Sequence, residues 1–250
     1  GVGRRVQRMA CRMRAAVAQF GASDDKKMNL CVIEHLAWCA AEGGADMLFL
    51  PEYAMFRAES DRAAQNTQAA EPLDGEFVSA LSEAAQGQGL WICAGMYEKT
   101  DGLPYNTTVI LDDNGELRGA YRKTRLYDAF GYRESEECRA GDEPFSPIDT
   151  PAGKLGIITC FELRFPELAA AQKQAGAEVL YVPAGWACGE NKALHWRTLL
   201  CARAIENNIP VIGADQYIPE QFIGSSAIYA ATGAELASLG AGEGLLITEI

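Results

Sequence analysis

The residue with the clearest chemical potential is Cys160. It directly follows the apolar run Leu155–Thr159, and six residues later Pro166 can open a helix. A strand that turns sharply into a helix presents a nucleophile beside a free backbone N–H, and the helix N-terminus favours a thiolate. We therefore predict that Cys160 is a nucleophile. The alternatives are that Cys160 is a buried structural thiol, or that Cys138 or Cys188, in predicted loops, carries the chemistry.

Two further charged residues stand at predicted strand ends. Glu52 comes directly after the apolar segment 48–51, where a carboxylate beside an apolar floor suits a general base. Lys123 ends a predicted strand that begins at Leu117. Functional residues gather just past the carboxyl ends of strands in α/β proteins, so both are candidates. A solvated glutamate and a surface lysine are the ordinary alternatives.

Other chemistry-bearing residues fit less well. Cys31, His35 and Cys39 share one stripe of a predicted helix, but a structural zinc site uses four ligands, and we expect a packed helix face instead. His195 is one of only two histidines and could pair with a cysteine as in thiol proteases. Its position inside a predicted helix favours a structural hydrogen bond equally.

Composition excludes several classes of function. The chain has 250 residues and a net charge of −12, which is unsuited to nucleic-acid binding because such proteins cluster Lys and Arg against phosphates. No apolar run approaches the length of a membrane span, so we expect no membrane partner. Eight cysteines without a recognisable signal peptide predict free thiols and a cytoplasmic location.

The predicted elements must position these residues. Residues 1–14 carry five arginines and no acid, and we expect a basic N-terminal extension before one domain at 15–250. The last predicted strand reaches Ile250, so we expect a tail beyond it. Strands and helices alternate, with a meander at 89–123 and a hairpin-like pair formed by 225–230 and 244–250. This order predicts an α/β fold with a mixed sheet or two sheets and helices outside. The predicted helices span 26–42, 76–86, 166–175 and 191–207.

Several short motifs follow one another along the chain. They are Leu50-Pro51-Glu52-Tyr53, Tyr121-Arg122-Lys123, Gly131–Ser135, Ala140-Gly141-Asp142, Thr159–Glu167, Pro183–Trp186, His195–Leu200 and Ala202–Asn207. Taken together, these motifs resemble those of the nitrilase (carbon–nitrogen hydrolase) superfamily. The Arg-Phe-Pro-Glu run that ends at Glu167 is more similar to the small-amidase, ω-amidase-like branch than to true nitrilases. Glu162 stands where the family usually has Asp.

The resemblance implies a four-layer αββα sandwich, a homodimer or higher homo-oligomer, and no cofactor or metal. It also implies a Glu–Lys–Cys triad in which Cys160 forms a thioester with the substrate carbonyl and Glu52 moves the protons. Lys123 and the backbone N–H of Phe161 would hold the oxyanion. Glu134 lies at the spacing of the family's second glutamate and is expected to orient Lys123, the alternative being a solvated loop acid.

The predicted substrate is a small linear amide, which the enzyme hydrolyses to a carboxylate and ammonia. Nitrile hydrolysis, N-carbamoyl amide hydrolysis and a catalytically silent dimeric scaffold are the alternatives. Tyr53 and Trp186 follow predicted strand ends and could form apolar walls of the pocket, with Phe161 beside them. Arg164 could bind a carboxylate of the substrate or pair outward with Glu162 or Glu167.

Overall fold

The structure is a computed structural model that describes residues 13–250. Residues 1–12, which hold most of the expected basic extension, lie outside the described part. Strand β1 begins at Arg14. The helices are α1 (Lys26–Glu42), α2 (Arg62–Ala69), α3 (Glu76–Gln88), α4 (Pro166–Gln174) and α5 (Lys192–Asn207). The strands are β1 (Arg14–Gln19), β2 (Met47–Phe49), β3 (Trp91–Glu98), β4 (Tyr105–Leu111), β5 (Leu117–Arg122), β6 (Asp128–Ala129), β7 (Tyr132–Arg133), β8 (Ile148–Thr150), β9 (Gly153–Ile157), β10 (Val179–Ala184), β11 (Val211–Asp215), β12 (Tyr217–Ile218), β13 (Phe222–Ile223), β14 (Ala227–Tyr229), β15 (Glu235–Ser238) and β16 (Gly244–Glu249).

Two six-stranded sheets form the centre of the molecule. The first has the order β16-β1-β2-β3-β4-β5, and the second has the order β15-β14-β11-β10-β9-β8. In each sheet three parallel strands occupy the middle, β1-β2-β3 in one and β9-β10-β11 in the other, and antiparallel strands flank them. Parallel strands need helical crossovers, which α1, α3, α4 and α5 supply.

The side chains of β1 show how the layers are built. Ala15 and Val17 pack between the two sheets, whereas Ala16 and Ala18 face the layer of α1 and α3. This alternation is the period of two that a strand imposes on its side chains. On the far side, α4 and α5 pack against the second sheet through a third cluster that includes Trp196. The predicted four-layer αββα sandwich is therefore confirmed.

Local signals account for the ends of α1. Asp25 caps the helix because its side chain accepts hydrogen bonds from the backbone N–H groups of Lys27 and Met28, and Gly43 follows the last turn. The bounds are those the sequence predicts. Helix α2 is absent from the sequence prediction because it is mostly polar, and only Asn66 and Ala69 are buried.

Two expectations are wrong. Residues 225–230 and 244–250 do not pair, because β14 lies in the second sheet and β16 pairs with β1 in the first. The stripe of Cys31, His35 and Cys39 does not pack against the core, since Cys31 and His35 are exposed and the buried face of α1 contains Ile33 and Ala37.

The described cysteines are consistent with a chain that is stabilised by apolar packing and not by disulfide bonds. The seven cysteines within residues 13–250 are free thiols. No helix in this range is long and apolar enough to cross a bilayer.

Candidate active site

The three residues of the predicted triad meet at one edge of the two sheets. Glu52 follows β2, Lys123 follows β5 and Cys160 follows β9. Strand β3 is parallel to β2, and β4 is antiparallel to β3, so β4 starts at the edge where β2 ends. Strand β5 is antiparallel to β4, so β5 ends at the same edge. The side chains line a cavity of about 380 Å³, together with Glu134. That volume suits a small organic molecule.

Lys123 lies between two carboxylates at the bottom of this cavity. Its Nζ is 3.0 Å from Glu52 Oε1 and 2.8 Å from Glu134 Oε2, and all three side chains are 1% exposed. Burial opposes the charge of Lys123, but the two carboxylates outweigh it and hold its pKa well above the usual range. Burial also opposes the charge of Glu134. Lys123 and several hydrogen bonds outweigh this effect of burial and lower the pKa of Glu134. The lysine is therefore a fixed cation.

Glu134 is no solvated loop acid. It begins a short 3-10 helix, Glu134–Glu136, and its carboxylate is fully engaged. Oε1 accepts a hydrogen bond from the hydroxyl of Tyr53 at 2.9 Å, and Oε2 accepts one from the backbone N–H of Tyr127 at 2.7 Å. These bonds fix the carboxylate that faces Lys123.

Asn106, near the start of β4, joins the two glutamates. Its Nδ2 donates to Glu52 Oε1 at 2.7 Å and to Glu134 Oε1 at 3.0 Å. An amide group can donate twice without adding charge. Asn106 therefore holds the two carboxylates at a fixed separation without competing with Lys123. Only the contact itself reveals this role, because Asn106 lies 54 residues from Glu52.

Cys160 stands at the turn between β9 and α4. Its backbone has a φ of +48°, and it opens a 3-10 helix, Cys160–Arg164, that runs into Pro166 at the start of α4. The strand-to-helix turn is as predicted. Phe161 belongs to the first turn of the 3-10 helix, where backbone N–H groups have no intrahelical partner. Such an N–H is available for an oxyanion.

The Cys160 thiol is protonated at rest. Burial and then the Glu52 carboxylate raise its pKa well above the usual range, against the opposing effect of Lys123. Attack by sulfur therefore requires a base. Gly185 connects the two groups, since its N–H donates to Glu52 Oε2 at 2.8 Å and its carbonyl accepts from Cys160 Sγ at 3.7 Å. Of the rival cysteines, Cys138 is buried away from the cavity, and Cys188 lines it.

Glu162 is a second residue whose role sequence reasoning misses. It is fully buried, and its carboxylate accepts hydrogen bonds from the hydroxyl of Tyr121 and from the backbone N–H groups of Thr124, Arg125 and Thr159 at 2.8 to 3.0 Å. Lys123 lies within the segment 121–125, and Thr159 directly precedes Cys160 in the sequence. Glu162 therefore ties the two segments together. Two sequence signals bear on Glu162. Thr159 and Glu162 have the spacing of a helix capping box, which the structure forms, and Glu162 departs from the family's usual Asp.

The four predicted substrate-binding residues occupy different places. Tyr53 lines the cavity, and its ring stacks on that of Tyr97 at 5.3 Å. Phe161, Arg164 and Trp186 line a small recess that also contains Cys160. Trp186 is 3% exposed and lines this recess, not the main cavity.

Arg164 makes neither of the outward ion pairs considered from the sequence. Within residues 13–250, no carboxylate lies within 4.0 Å of its guanidinium. The group lies over the Trp186 ring at 4.7 Å, and Nη1 is 3.4 Å from Nδ1 of His195. His195 therefore contacts an arginine and not a cysteine.

Asp215 holds the backbone at Trp186 in place. It is fully buried, and its Oδ1 accepts a hydrogen bond from the backbone N–H of Trp186 at 2.7 Å. Its Oδ2 has no hydrogen-bond partner among the described residues. Burial raises the pKa of this carboxyl well above the usual range.

Comparison with known proteins agrees with this geometry. The sequence profile of the carbon–nitrogen hydrolases matches residues 14–250. The chain is 37% identical over 213 residues to deaminated glutathione amidase of Bos taurus, and the match covers 80% of this chain and 64% of that protein. It is 34% identical over 239 residues to the protein of the same name from Escherichia coli O157:H7, covering 95% and 90% of the two chains.

Solved structures give the same result. The NitFhit protein of C. elegans superposes with a TM-score of 0.87 at 33% identity, covering 96% of this chain and 60% of that chain. An amidase from Nesterenkonia sp. superposes with a TM-score of 0.82 at 27% identity, covering 95% and 90%. The chain therefore belongs to the carbon–nitrogen hydrolase family, within the small-amidase branch of the nitrilase superfamily.

Proposed function

We propose that the protein hydrolyses the C–N bond of a small linear amide through a thioester on Cys160. The observation that carries this proposal is the buried ammonium of Lys123, fixed between Glu52 and Glu134 in the cavity that Cys160 lines. A protonated thiol, a carboxylate linked to it through Gly185 and a permanent cation together meet the requirements of acyl transfer.

The first half of the reaction forms the thioester. Glu52 accepts the thiol proton as Cys160 Sγ bonds to the substrate carbonyl carbon, and the carbonyl oxygen becomes an oxyanion. This transfer moves one negative charge from the carboxylate towards the sulfur and the oxyanion, so the buried site gains no net charge. Glu52 then returns the proton to the amide nitrogen, the C–N bond breaks, and ammonia or an amine leaves.

The second half releases the acid. Glu52 takes a proton from water as the hydroxyl oxygen bonds to the thioester carbon, and the C–S bond then breaks. The proton on Glu52 returns to the sulfur, which restores the starting state.

Lys123 is suited to stabilise the oxyanion in both halves. An ammonium has three N–H groups, and two of them donate to Glu52 and Glu134. No other acceptor within residues 13–250 takes the third. We assign that N–H, with the backbone N–H of Phe161, to the oxyanion. Since the lysine is already fixed, no reorganisation is needed when the charge develops.

Arg164 and Lys192 indicate the nature of one end of the substrate. Both line the recess beside Cys160, and no carboxylate in the described part of the chain lies within 4.0 Å of either. We propose that this recess binds a carboxylate of the substrate. The amides of dicarboxylic acids are therefore the first substrates to test, and the names of the bovine and bacterial relatives, deaminated glutathione amidases, point to a similar substrate chemistry.

Intact-mass spectrometry with paired amides and nitriles tests the proposal. We expect ammonia release from ω-amides of dicarboxylic acids and an acyl adduct on Cys160 that is absent in Cys160→Ala. Turnover of nitriles without amides would reassign the protein as a nitrilase. Neither turnover nor an adduct across the panel would leave a non-catalytic scaffold as the better explanation.

A further inference from the structure

The cavity contains a second group of cations apart from Arg164 and Lys192. Arg57 and Arg62 line it together with Tyr132, Gln221 and Phe222. The two arginines also line a side recess that shares no residue with the recess of Arg164. Arg57 and Arg62 therefore form a group separate from Arg164, and Lys192 lines both the main cavity and the recess of Arg164.

Arg57 is an unusual arginine. It is 8% exposed, yet no carboxylate within residues 13–250 lies within 4.0 Å of its guanidinium. Buried arginines are normally paired with a carboxylate, and this chain has 34 acidic residues for 22 basic ones. Its one side-chain acceptor is Gln221, whose Oε1 takes a hydrogen bond from Nη2. Four of the five guanidinium N–H groups thus lack a protein acceptor in the described structure.

The neighbours of Arg57 hold it in place without neutralising it. Its guanidinium lies over the Phe222 ring at 5.0 Å, and that of Arg62 lies over the Tyr132 ring at 5.6 Å. Arg62 has one weak ion pair, with Glu137 at 3.8 Å. Burial and then the charge of Arg62 lower the pKa of Arg57, and the charge of Glu59 opposes that shift. Glu137, the partner of Arg62, also lines the side recess.

We propose that Arg57 and Arg62 form a second carboxylate-binding subsite of the substrate cavity. This inference rests on the proposed amide hydrolysis and specifies an N-substituted amide, which releases an amine instead of ammonia. With Arg164 and Lys192 in the other recess, the preferred substrate carries one carboxylate on each side of the scissile amide. A fixed guanidinium can bind a carboxylate through two parallel hydrogen bonds, which favours the acid over its ester.

Glutarylglycine, an amide with a carboxylate at each end, and its two monomethyl esters test the subsite. We expect wild-type kcat/KM to be at least tenfold higher for the diacid than for one of the esters. Arg57→Gln should abolish that preference by raising KM for the diacid, with kcat changed less than threefold. Arg62→Gln should act in the same direction. Arg139→Gln is the matched control, because Arg139 is exposed and pairs with Asp101 at the surface.

Two results would overturn the subsite. One is an equal loss of activity towards all three compounds in Arg57→Gln, which indicates a structural role. The other is an unchanged preference for the diacid in both arginine variants.

Binding measured on a Cys160→Ala background separates this inference from the proposed function. Calorimetry should detect glutarylglycine binding, weakened at least tenfold by Arg57→Gln and not by Arg139→Gln. This result can hold even if the wild-type protein hydrolyses no amide, in which case only the proposed activity fails. Equal affinity with and without Arg57 contradicts the subsite directly.

Discussion

Lys123 and Glu134 form an ion pair with a nitrogen–oxygen distance of 2.8 Å, and each side chain is 1% exposed. Separating a buried ion pair leaves each charge without a counter-ion, which is strongly unfavourable. The pair therefore keeps both side chains in one arrangement. Here the pair holds the cation that the proposed mechanism assigns to the oxyanion.

Glu134→Gln should therefore lower kcat at least tenfold. The amide cannot supply the negative charge that fixes Lys123, so the third lysine N–H loses its direction, and tenfold corresponds to about 1.4 kcal/mol of transition-state stabilisation. Steady-state kinetics on an ω-amide measure the effect. Glu136→Gln is the control, because that side chain is 69% exposed on the same short helix. A wild-type rate in Glu134→Gln would remove Glu134 from the catalytic group.

Lys123→Met should destabilise the fold by about 3–5 kcal/mol, because it leaves Glu52 and Glu134 buried without a cation. The double variant Lys123→Met, Glu134→Gln should recover part of that loss, since one of the stranded charges is gone. Urea unfolding of the three proteins gives the free energies. A double variant no more stable than the single variant would show that the two residues are not coupled.

Glu162→Gln should reduce both stability and kcat. The carboxylate accepts from Tyr121, Thr124 and Thr159, and an amide nitrogen in place of one oxygen leaves at least one buried donor unpaired, at a cost of about 1–3 kcal/mol. Activity falls because the Lys123 and Cys160 segments are no longer tied. Thermal unfolding and kinetics are compared with Glu167→Gln, whose side chain is 57% exposed. Identical behaviour of the two variants would refute this role.

The Cys160 thiol should remain protonated beyond the pH at which an ordinary thiol ionises, because burial and Glu52 raise its pKa. The ultraviolet absorbance of thiolates, taken as the difference between wild type and Cys160→Ala, measures its ionisation. We expect no difference at neutral pH and a rise only in the alkaline range. A difference already present at pH 7 would mean a preformed thiolate and no need for Glu52 as a base.

Asp215→Asn should make the fold relatively more stable as pH rises. The folded-state pKa of Asp215 lies above the unfolded value, so its neutral form contributes stability below about pH 4. That contribution is lost as pH rises towards the folded-state pKa. The difference in unfolding free energy between Asp215→Asn and wild type should grow from about pH 4 upward. Asp101→Asn, at a side chain 95% exposed, should show no such trend, and parallel curves for Asp215→Asn would contradict a raised pKa of Asp215.

Several features followed from the sequence alone because their signals are local. The predicted bounds of α1 match the observed ones, and the contacts of Asp25 and Gly43 that end the helix lie within a few residues. Glu52 and Cys160 could be selected because each follows an apolar strand, and parallel strands bring their carboxyl ends to one edge. The motifs around them led to the family and, through it, to the four-layer fold.

Only the tertiary structure decided which residues hold these groups in place. Asn106 and Glu162 act on partners 54 and 41 residues away, and Arg57 meets Gln221 across 164 residues. Such contacts depend on sheet order and register, which no short pattern encodes. The pairing of β16 with β1 instead of β14 has the same cause: the strand completes an edge of the first sheet, and sequence proximity does not identify its neighbour. Arg57 could be identified as a candidate binding residue only from the structure, in which it is buried and no described carboxylate lies within 4.0 Å of it.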